Sequence, residues 1–541
     1  MYKSVVVVIL FGLTVAAAYG PGDLAWSNRY NGPGNDFDYA VGIAVDGDGN
    51  CYVTGYSPGP STGNDFATIK YDASGQQVWL QRYAGPSYSD DVPVAIKLDN
   101  QGNVYIAGRG GIYPNYNIIT IKYNSAGEQQ WVATWAGPGN NADYAGGLAV
   151  NPATGEVCVA GWSVDATTLQ ADIVVVKYNS SGTQLWEETW DNGGNDYGYA
   201  VAMDGSGNVY VAGATGEDYV TLKFGSAGGE LWNQVWNGQG NASDVALAIA
   251  VDGSGNCYVT GKTATAPPPS GNWNIATLKY DPDGNQQWSA VYTGVGRDDI
   301  PAAITLDRTG NVYLTGSSVS PQGGSDCITL KYDGASGSQT WQARYNSAFN
   351  GTDAGANLVV DSLGRVHVVG SSTGNLGTPD YLVLRYSATG TQDWAVRYDS
   401  PYHNDDKGVG IGLDRNLNVY VTGSSYGGVN PMGYDFCTLK YEANGSGGLA
   451  ELRPVLPEGR LVAHPNPARS AFMVDYQLSR AGQVRLELID MAGRMVATLL
   501  QADRPAGDHQ ERLKLEGVAK GVYLLRLSGP GAEAGAILVV D

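Results

Sequence analysis

Histidine, cysteine and methionine are scarce: the 541 residues include 4 His, 5 Cys and 6 Met. The cysteines are odd in number, widely spaced and without a CxxC pair, which argues against zinc-ribbon, thioredoxin-like and c-type haem sites. They fall inside predicted strands, so we expect buried free thiols, with one bridge between neighbouring repeats as the alternative. Basic residues are also few, and the formal net charge of −21 disfavours nucleic acid and anionic membranes as partners.

Long apolar runs are equally rare, with one exception at residues 1–20. There, Lys3 precedes an apolar stretch that ends in the small residues Ala16 to Ala18, a pattern that predicts a secretory signal peptide. No other segment is long and apolar enough to span a bilayer, so we expect an exported chain without a transmembrane span. Helical periodicity is also uncommon, whereas 76 Gly and 35 Tyr are typical of a β protein.

One short motif at first suggests a metal site. Residues 45–55, "VDGDGNCYVTG", place Asp46, Asp48 and Asn50 at alternate positions, as an EF-hand begins. The sixth position is Cys51 rather than Gly, and the twelfth is Ser57 rather than Glu, so this loop cannot close around calcium. The motif recurs as "LDNQGNVYIAG", "MDGSGNVYVAG" and "LDRTGNVYLTG" with the residue matching Asp48 freely replaced, so it predicts a hairpin turn.

These copies belong to a longer repeat. Tryptophan recurs at spacings of 53, 52, 55, 46, 56, 53 and 53 residues, at positions 26, 79, 131, 186, 232, 288, 341 and 394. Each unit contains four strand-like pieces, which is the pattern of a β-propeller blade. Trp26 precedes the first complete unit, and no tryptophan follows the last third strand. We therefore predict an all-β fold, an eight-bladed β-propeller whose N-terminal residues 24–30 supply the outer strand of the eighth blade and close the ring.

The repeats resemble the bacterial SBBP β-propeller repeat family, through the patterns "D-x-x-G-N-x-Y-V-x-G" and "K-Y-(D/N)-x-x-G-x-x-x-W". The resemblance covers roughly residues 24–445. It implies the propeller fold and little about chemistry, because propellers carry many unrelated functions.

The last 80 residues lack the repeat motifs, and their alternating apolar and polar runs predict a small β-sandwich. "HPNP" (464–467), "IDMAGRMV" (489–496) and "KGVYLLRL" (520–527) resemble the type IX secretion C-terminal sorting domain. That resemblance implies contact with the secretion machinery and a secreted or outer-surface location; an Ig-like stabilising module is the alternative. The predicted domains are therefore a signal peptide (1–20), the propeller (21–448), a linker (449–460) and the sorting domain (461–541).

Function is expected on one face of the propeller. The connections between the second and third strands vary widely in length, and variable loops on a uniform scaffold usually carry binding. Aromatic side chains there could stack on sugar rings: Tyr113, Tyr116, Trp162, Trp273 and Tyr426. We expect binding of a glycan or an extracellular protein, although loop aromatics packing on their own blade is the simpler interpretation for any one of them.

An enzyme on this scaffold is the alternative, either carbohydrate-active or quinone-dependent. "YDASGQQVW" and "YDPDGNQQW" resemble the tryptophan-docking pattern of eight-bladed quinoprotein dehydrogenases, a similarity that shared packing also explains. The sequence has no Gly-x-Ser-x-Gly elbow and no HExxH motif, and nothing selects a catalytic carboxylate pair. We therefore predict no catalytic residue and no resident cofactor.

An aspartate stands eight residues before each hairpin Asp or Asn, where the chain enters the innermost strand: Asp38, Asp91, Asp143, Asp196, Asp244, Asp299, Asp353 and Asp406. A second polar set opens the third strand on the same face: Asp65, Asn117, Asp172, Asp218, Asn274, Asp326, Asp380 and Asp435. A carboxylate at a strand entry can accept backbone N–H bonds and fix the bend, which is the structural interpretation. Crowded carboxylates also suit Ca²⁺, which is the functional one.

Overall fold

The computed structural model describes residues 22–443, except 35, 61, 86–88, 140, 239–241, 267–271, 296, 321–322, 375, 401 and 430–431. It also describes residues 461–540, except 465–470, 479, 491–493, 506, 516 and 530–531. The predicted signal peptide and linker lie outside these residues. The chain divides into two compact units, Met1–Leu452 and Arg453–Asp541.

The described residues of the first unit form eight four-stranded antiparallel sheets and no helix. In chain order, sheets 1 to 4 are Tyr39–Val45, Cys51–Pro58, Asn64–Tyr71, Gln77–Tyr83; Val92–Leu98, Val104–Ile112, Asn115–Tyr123, Gln129–Trp135; Asp143–Val150, Val157–Val164, Ala171–Tyr178, Gln184–Trp190; and Asp196–Met203, Val209–Thr215, Asp218–Phe224, Glu230–Trp236. Sheets 5 to 7 are Asp244–Val251, Cys257–Ala264, Trp273–Tyr280, Gln286–Tyr292; Asp299–Leu306, Val312–Val319, Ser325–Tyr332, Gln339–Tyr345; and Asp353–Val360, Val366–Thr373, Pro379–Tyr386, Gln392–Tyr398. Repeated sheets of this kind are those of a β-propeller.

Sheet 8 combines the two ends of the repeat region. Its strands Asp406–Leu413, Val419–Val429 and Met432–Tyr441 follow one another, and the fourth is Leu24–Tyr30 from the start of the chain. This strand runs antiparallel to the third, with Trp26 opposite Lys440 and Tyr30 opposite Phe436. The N-terminal strand is thus the fourth strand of sheet 8, as the offset of the tryptophans predicts.

The hairpin motif forms a side-chain-stabilised turn. Asp46 Oδ1 accepts the backbone N–H groups of Asp48 and Asn50, each at 2.9 Å. Asp204, Asp252, Asp307 and Asp414 make the same pair of bonds in their sheets. The turn prediction is confirmed, because the carboxylate is engaged by the backbone that it folds.

Neighbouring sheets are joined by the fourth-strand tryptophans. Trp79 Nε1 donates to the Ser125 carbonyl of the next sheet at 3.2 Å, and Lys70 Nζ donates to the same oxygen at 3.1 Å. Gly127 in that turn has φ of +87°, and a Cβ there would lie 2.8 Å from the Trp79 ring. Only glycine therefore allows the indole to dock this closely.

Each sheet buries its second and third strands most completely, and the five cysteines lie there as buried free thiols, as expected: Cys51, Cys158, Cys257, Cys327 and Cys437. Burial raises the pKa of the Cys327 thiol to about 12, so it stays protonated. Within the described residues, no helix has the length and hydropathy needed to cross a membrane.

The described residues of the second unit form a three-stranded and a four-stranded sheet. The first is ordered Leu461–His464, Ala471–Leu478, Gly507–Lys514, and the second Met495–Arg504, Gly482–Asp490, Gly521–Gly529, Ala532–Val540. One apolar core joins them, with Phe472 and Val474 from the first sheet and Leu486 and Leu525 from the second.

Candidate binding surface

The end of the sheets where the first strand begins is built on the repeated aspartates. Asp38 Oδ2 accepts the backbone N–H of Gly32 at 2.7 Å. The other seven repeated aspartates each accept one N–H of the preceding connection at 2.6–2.8 Å. We call this the loop end, because the fourth-to-first and second-to-third connections both lie there. Each of these bonds fixes the path by which the chain enters its sheet.

The third-strand carboxylates at the loop end have a partner in four sheets. Arg82 binds Asp65 at 2.7 Å, and Arg344 binds Asp326 at 2.8 Å. Arg29 contacts Asp435 at 3.1 Å, and Arg397 contacts Asp380. These arginines stand in sheets 6, 7, 8 and 1. The matching fourth-strand residues of sheets 2 to 5, by register, are Thr134, Thr189, Val235 and Val291.

Aromatic rings at the loop end form two groups. The first aromatic group spans sheets 8 and 1 and consists of Phe37, Tyr39, Tyr56, Tyr402, Tyr426 and Tyr434. Its centre is Tyr39, whose ring centroid lies 5.3 Å from that of Tyr56 and 5.4 Å from that of Tyr434. Tyr39 and Tyr56 are opposite each other on adjacent strands, and Tyr434 belongs to the neighbouring sheet. The rings therefore make one surface across a sheet boundary.

The second aromatic group spans sheets 2 to 4 and consists of Tyr113, Tyr116, Tyr144, Trp162, Tyr197 and Tyr199. Trp162 stacks on Tyr144, with centroids 5.1 Å apart and planes at 22°. Its other contacts are edge-on, to Tyr197 at 5.5 Å and Tyr199 at 5.8 Å. Such offset and edge-to-face pairs fix each other's orientation.

Arg109 lies between sheets 2 and 3 in the second group. Its guanidinium is 4.9 Å from the Tyr116 ring centroid and 5.4 Å from that of Tyr144. Both distances suit cation–π contact, so the arginine holds the two rings of adjacent sheets together.

The first group borders two shallow cavities. One of about 380 Å³ is lined by Asp36, Phe37, Tyr39, Tyr56, Pro58 and Asn64. The other, of about 290 Å³, includes Tyr39, Tyr56, Lys407, Ser424 and Tyr434 in its lining. Burial and the nearby carboxylates of Asp36 and Asp405 raise the pKa of Tyr39, so its hydroxyl remains available as a hydrogen-bond donor.

The structure groups four of the five aromatics selected from the sequence. Tyr113 is 76% exposed and meets Tyr116 edge-on, while Trp162 lies in the same group. Tyr426 lies in the first group, between Tyr402 and Tyr434. Trp273 contacts neither group among the described residues, and Lys262 Nζ lies 4.2 Å from its ring centroid.

Sequence reasoning missed Tyr39, Tyr144 and Tyr197, which line both groups. A signal for them was present, because each directly follows a repeated aspartate. The residue at this position is aromatic in sheets 1, 3 and 4, and Val92, Val245, Ile300, Ala354 or Lys407 in the others. Arg109 and Tyr434 were also missed, since their role depends on contacts between sheets.

Carboxylates converge at two places on the loop end. Asp172, Asp191 and Asp196 bring one oxygen each within 4.8 Å of the others, and Asp380, Asp399 and Asp406 do the same. Each group combines a third-strand acid, a residue that follows the fourth strand and a repeated first-strand aspartate. The sequence interpretation had named four of these six and missed Asp191 and Asp399.

Comparison with known families identifies both parts of the chain. Residues 462–540 match the secretion system C-terminal sorting domain. Residues 25–60, 287–321 and 402–429 match the SBBP β-propeller repeat. The chain carries β-propeller repeats and a type IX sorting domain. The sorting domain implies contact with the secretion machinery and a protein that is secreted or anchored at the cell surface.

Individual proteins add little to this identification. No curated protein matches the chain. Among solved structures, a protein from Lactobacillus plantarum is 13% identical, covers 67% of this chain and 98% of its own, and has a TM-score of 0.42. Sqt1 from Chaetomium thermophilum is 10% identical over 77% of this chain and 100% of its own, with a TM-score of 0.44. A fungal alcohol oxidase in complex with copper is 13% identical over 96% of this chain and 99% of its own, with a TM-score of 0.37.

Proposed function

We propose that this protein is an exported, surface-associated β-propeller of eight blades that binds a glycan through the aromatic groups of its loop end. In this proposal, residues 21–448 are the propeller, residues 449–460 are a linker, and residues 461–541 are a β-sandwich that directs secretion and anchoring. Residues 1–20 serve as the signal peptide for the first export step.

Ring closure is supported by contacts of the N-terminal strand. Trp26 Nε1 donates to the Ala73 carbonyl of sheet 1 at 3.2 Å, the bond that Trp79 makes to Ser125. Lys440, on the third strand of sheet 8, donates to the same Ala73 oxygen at 3.2 Å. Sheet 8 therefore contacts sheet 1 through the same pair of donors that joins sheet 1 to sheet 2.

The observation that supports the binding function is the one-sided placement of the two aromatic groups. Features that every blade needs recur in every blade, as the repeated aspartates do. Among the described residues, the two aromatic groups lie on sheets 8, 1, 2, 3 and 4, which follow one another if the ring is closed, whereas Trp273 and Phe349 lie outside both groups. A surface that serves packing alone has no reason to be confined in this way, whereas a ligand that lies along one side does.

The chemistry of the surface favours a neutral glycan. Tyrosine and tryptophan offer flat apolar faces to sugar rings and polar edges to their hydroxyl groups. Asp36 and Asp405 border the first group, and the charge of −21 disfavours acidic ligands generally. A protein ligand is the other class that such rings recognise, and the experiment below separates the two.

Affinity electrophoresis of the full-length protein in gels containing neutral β-glucan, xylan or mannan tests the proposal. We expect retardation by at least one polysaccharide. Tyr39→Ala and Trp162→Ala should each weaken binding about 10-fold, corresponding to about 1.4 kcal/mol. Phe349→Ala is the matched control, because Phe349 is exposed, lies on a loop-end connection and belongs to neither group.

Three results would contradict the proposal. Equal retardation of all three variants and the parent would place binding elsewhere. No retardation, together with capture of a purified extracellular protein that Trp162→Ala abolishes, would replace the glycan with a protein ligand. Release of reducing sugar from any of the polysaccharides would favour the carbohydrate-active enzyme.

A further inference from the structure

The three carboxylates of sheets 3 and 4 form a compact group that lacks a basic partner. Asp172 opens the third strand of sheet 3, Asp191 follows its fourth strand, and Asp196 begins sheet 4. Their ligand oxygens lie within 4.8 Å of one another. In the described part of the chain, no lysine, arginine or histidine forms an ion pair with any of the three. Like charges at this distance repel unless something neutralises them.

In the equivalent carboxylate group of sheets 7 and 8, side chains of the protein itself neutralise the negative charges. Arg397 pairs with Asp380, and His403 Nδ1 lies 2.6 Å from Asp399. Asp406 accepts hydrogen bonds from the Ser425 hydroxyl and from the Ser400 backbone N–H. Arg397 lies opposite Leu382 on the neighbouring strand, and Leu382 is two residues after Asp380. In sheet 3, Thr189 lies opposite Val174, which is two residues after Asp172. Thr189 therefore holds the arginine position in sheet 3.

An unpartnered oxygen points to a ligand at the carboxylate group of sheets 3 and 4. Asp196 is fully buried, at 0% exposure, and its Oδ2 accepts the Asn192 N–H at 2.8 Å. Its Oδ1 is buried without any hydrogen-bond partner. A buried carboxylate oxygen left without a partner is costly. Asp38, Asp91, Asp244, Asp299 and Asp353 share this orphaned oxygen, but of these six aspartates only Asp196 belongs to a group of three carboxylates among the described residues.

Asp172 is partly buried beside Asp191 and Asp196. A cation among the three carboxylates would offset their mutual repulsion. Asp191 is exposed, so an ion could reach the group from solvent.

We propose that Asp172, Asp191 and Asp196 bind one divalent cation, with Ca²⁺ preferred because the donors are carboxylate oxygens alone. Calcium accepts several carboxylates and completes its shell with water and backbone oxygens, whereas zinc and copper sites favour imidazole and thiolate. The equivalent group of sheets 7 and 8 binds no cation, because Arg397 supplies the positive charge there.

Such an ion also bears on the aromatic surface. Tyr197 directly follows Asp196 and contacts Trp162, so a cation at Asp196 would fix the connection that presents this ring. The metal site itself does not depend on the glycan proposal, since Ca²⁺ binding is measured without a glycan.

Isothermal titration of the chelator-treated full-length protein with CaCl₂ tests the site. We expect one site that Asp191→Asn weakens at least 10-fold; Asp191 is exposed, so folding should be unaffected. Asp399→Asn is the matched control at the equivalent position and should leave the Ca²⁺ affinity unchanged. Thr189→Arg introduces the arginine that sheet 7 carries and should abolish binding while the far-ultraviolet circular dichroism stays that of the parent.

The proposal is overturned if the parent binds no Ca²⁺ at millimolar concentration. It is equally overturned if Asp191→Asn and Thr189→Arg, both folded, bind as the parent does. Loss of binding in Asp399→Asn alone would assign the ion to sheets 7 and 8 instead.

Discussion

Single aspartates at the loop end are buried with raised pKa values, which makes stability depend on pH in an unusual direction. Burial raises the pKa of Asp38 and of Asp406 to about 6, despite the hydrogen bonds that each accepts. Because the folded state holds the proton more tightly than the unfolded chain, these groups stabilise the protein at low pH. That contribution is complete below about pH 4 and is lost as the pH rises to about 6.

We therefore expect the melting temperature to rise as the pH falls from 7.5 to 5. Asp38→Asn, which keeps the acceptor oxygen and removes the charge, should raise the melting temperature at pH 7.5 by roughly 1–3 °C and flatten the dependence. Asp307 acts in the opposite direction, because its turn hydrogen bonds outweigh burial and lower its pKa to about 2. Its contribution to stability is lost only as the pH falls from about 4 to about 2, which lies outside the range from pH 5 to 7.5. Scanning calorimetry across this range measures the parent and Asp38→Asn, and a parent protein that becomes steadily more stable from pH 5 to 7.5 would contradict the argument.

Among the elements, the strand Leu24–Tyr30 combines a short length with distant partners. Trp26 packs between the rings of Tyr71 and Tyr420, at centroid distances of 6.1 and 6.0 Å, and so contacts both sheet 1 and sheet 8. Arg29 adds hydrogen bonds to Ser425 at 2.8 Å and to Asp435. Without this strand, the third strand of sheet 8 becomes an open edge.

Trp26→Ala should destabilise the first unit by about 2–4 kcal/mol, through lost indole burial and the lost bond to Ala73. Deletion of residues 21–31 should cost more and should also promote self-association. Ser27→Ala serves as the control, because Ser27 is exposed on the same strand. Urea denaturation and sedimentation velocity measure the two effects, and an unchanged, monomeric deletion variant would show that the strand does not secure the fold.

Repetition explains why the elements were more predictable than the binding surface. A turn aspartate or a docking tryptophan occurs up to eight times. Because the residues around it change from repeat to repeat while it is retained, its structural role can be identified from the sequence. Tyr39, Arg109 and Tyr434 occur at positions that vary among the sheets, and each meets its partners across a sheet boundary. Pairing in register determines contacts within a sheet, but spacing along the chain says little about which loop-end residues of adjacent sheets touch. Asp191 was missed for the same reason, since its significance depends on Asp172 and Asp196.

At the scale of the whole molecule, the two units differ in charge as well as in pattern. Residues 453–541 carry 11 basic and 10 acidic side chains, which leaves −22 for the remainder of the chain. Each unit also has an apolar core of its own. Independent cores predict that the first unit folds without the second.

A chain ending at residue 452 should therefore fold, cross the inner membrane and accumulate in the periplasm of a host with type IX secretion. The full-length chain should reach the cell surface, as its sorting domain implies. Protease accessibility on intact cells, with fractionation, distinguishes the two locations. A control with Met495→Ala in the second unit, an exposed side chain, should be displayed normally. Surface display of the truncated chain would exclude an export role for the second unit.

The partnership of the first strand with the last has a consequence for the order of events during synthesis. Arg29 and Asp435, which pair across sheet 8, are 406 positions apart in the chain. Sheets 1 to 7 each consist of neighbouring strands and can form as soon as they emerge, but Leu24–Tyr30 has no partner until residue 441 has followed. Joining such distant segments carries a large loop-closure entropy and is slow. Until residue 441 has emerged, the chain therefore retains both an unpaired first strand and an open sheet edge.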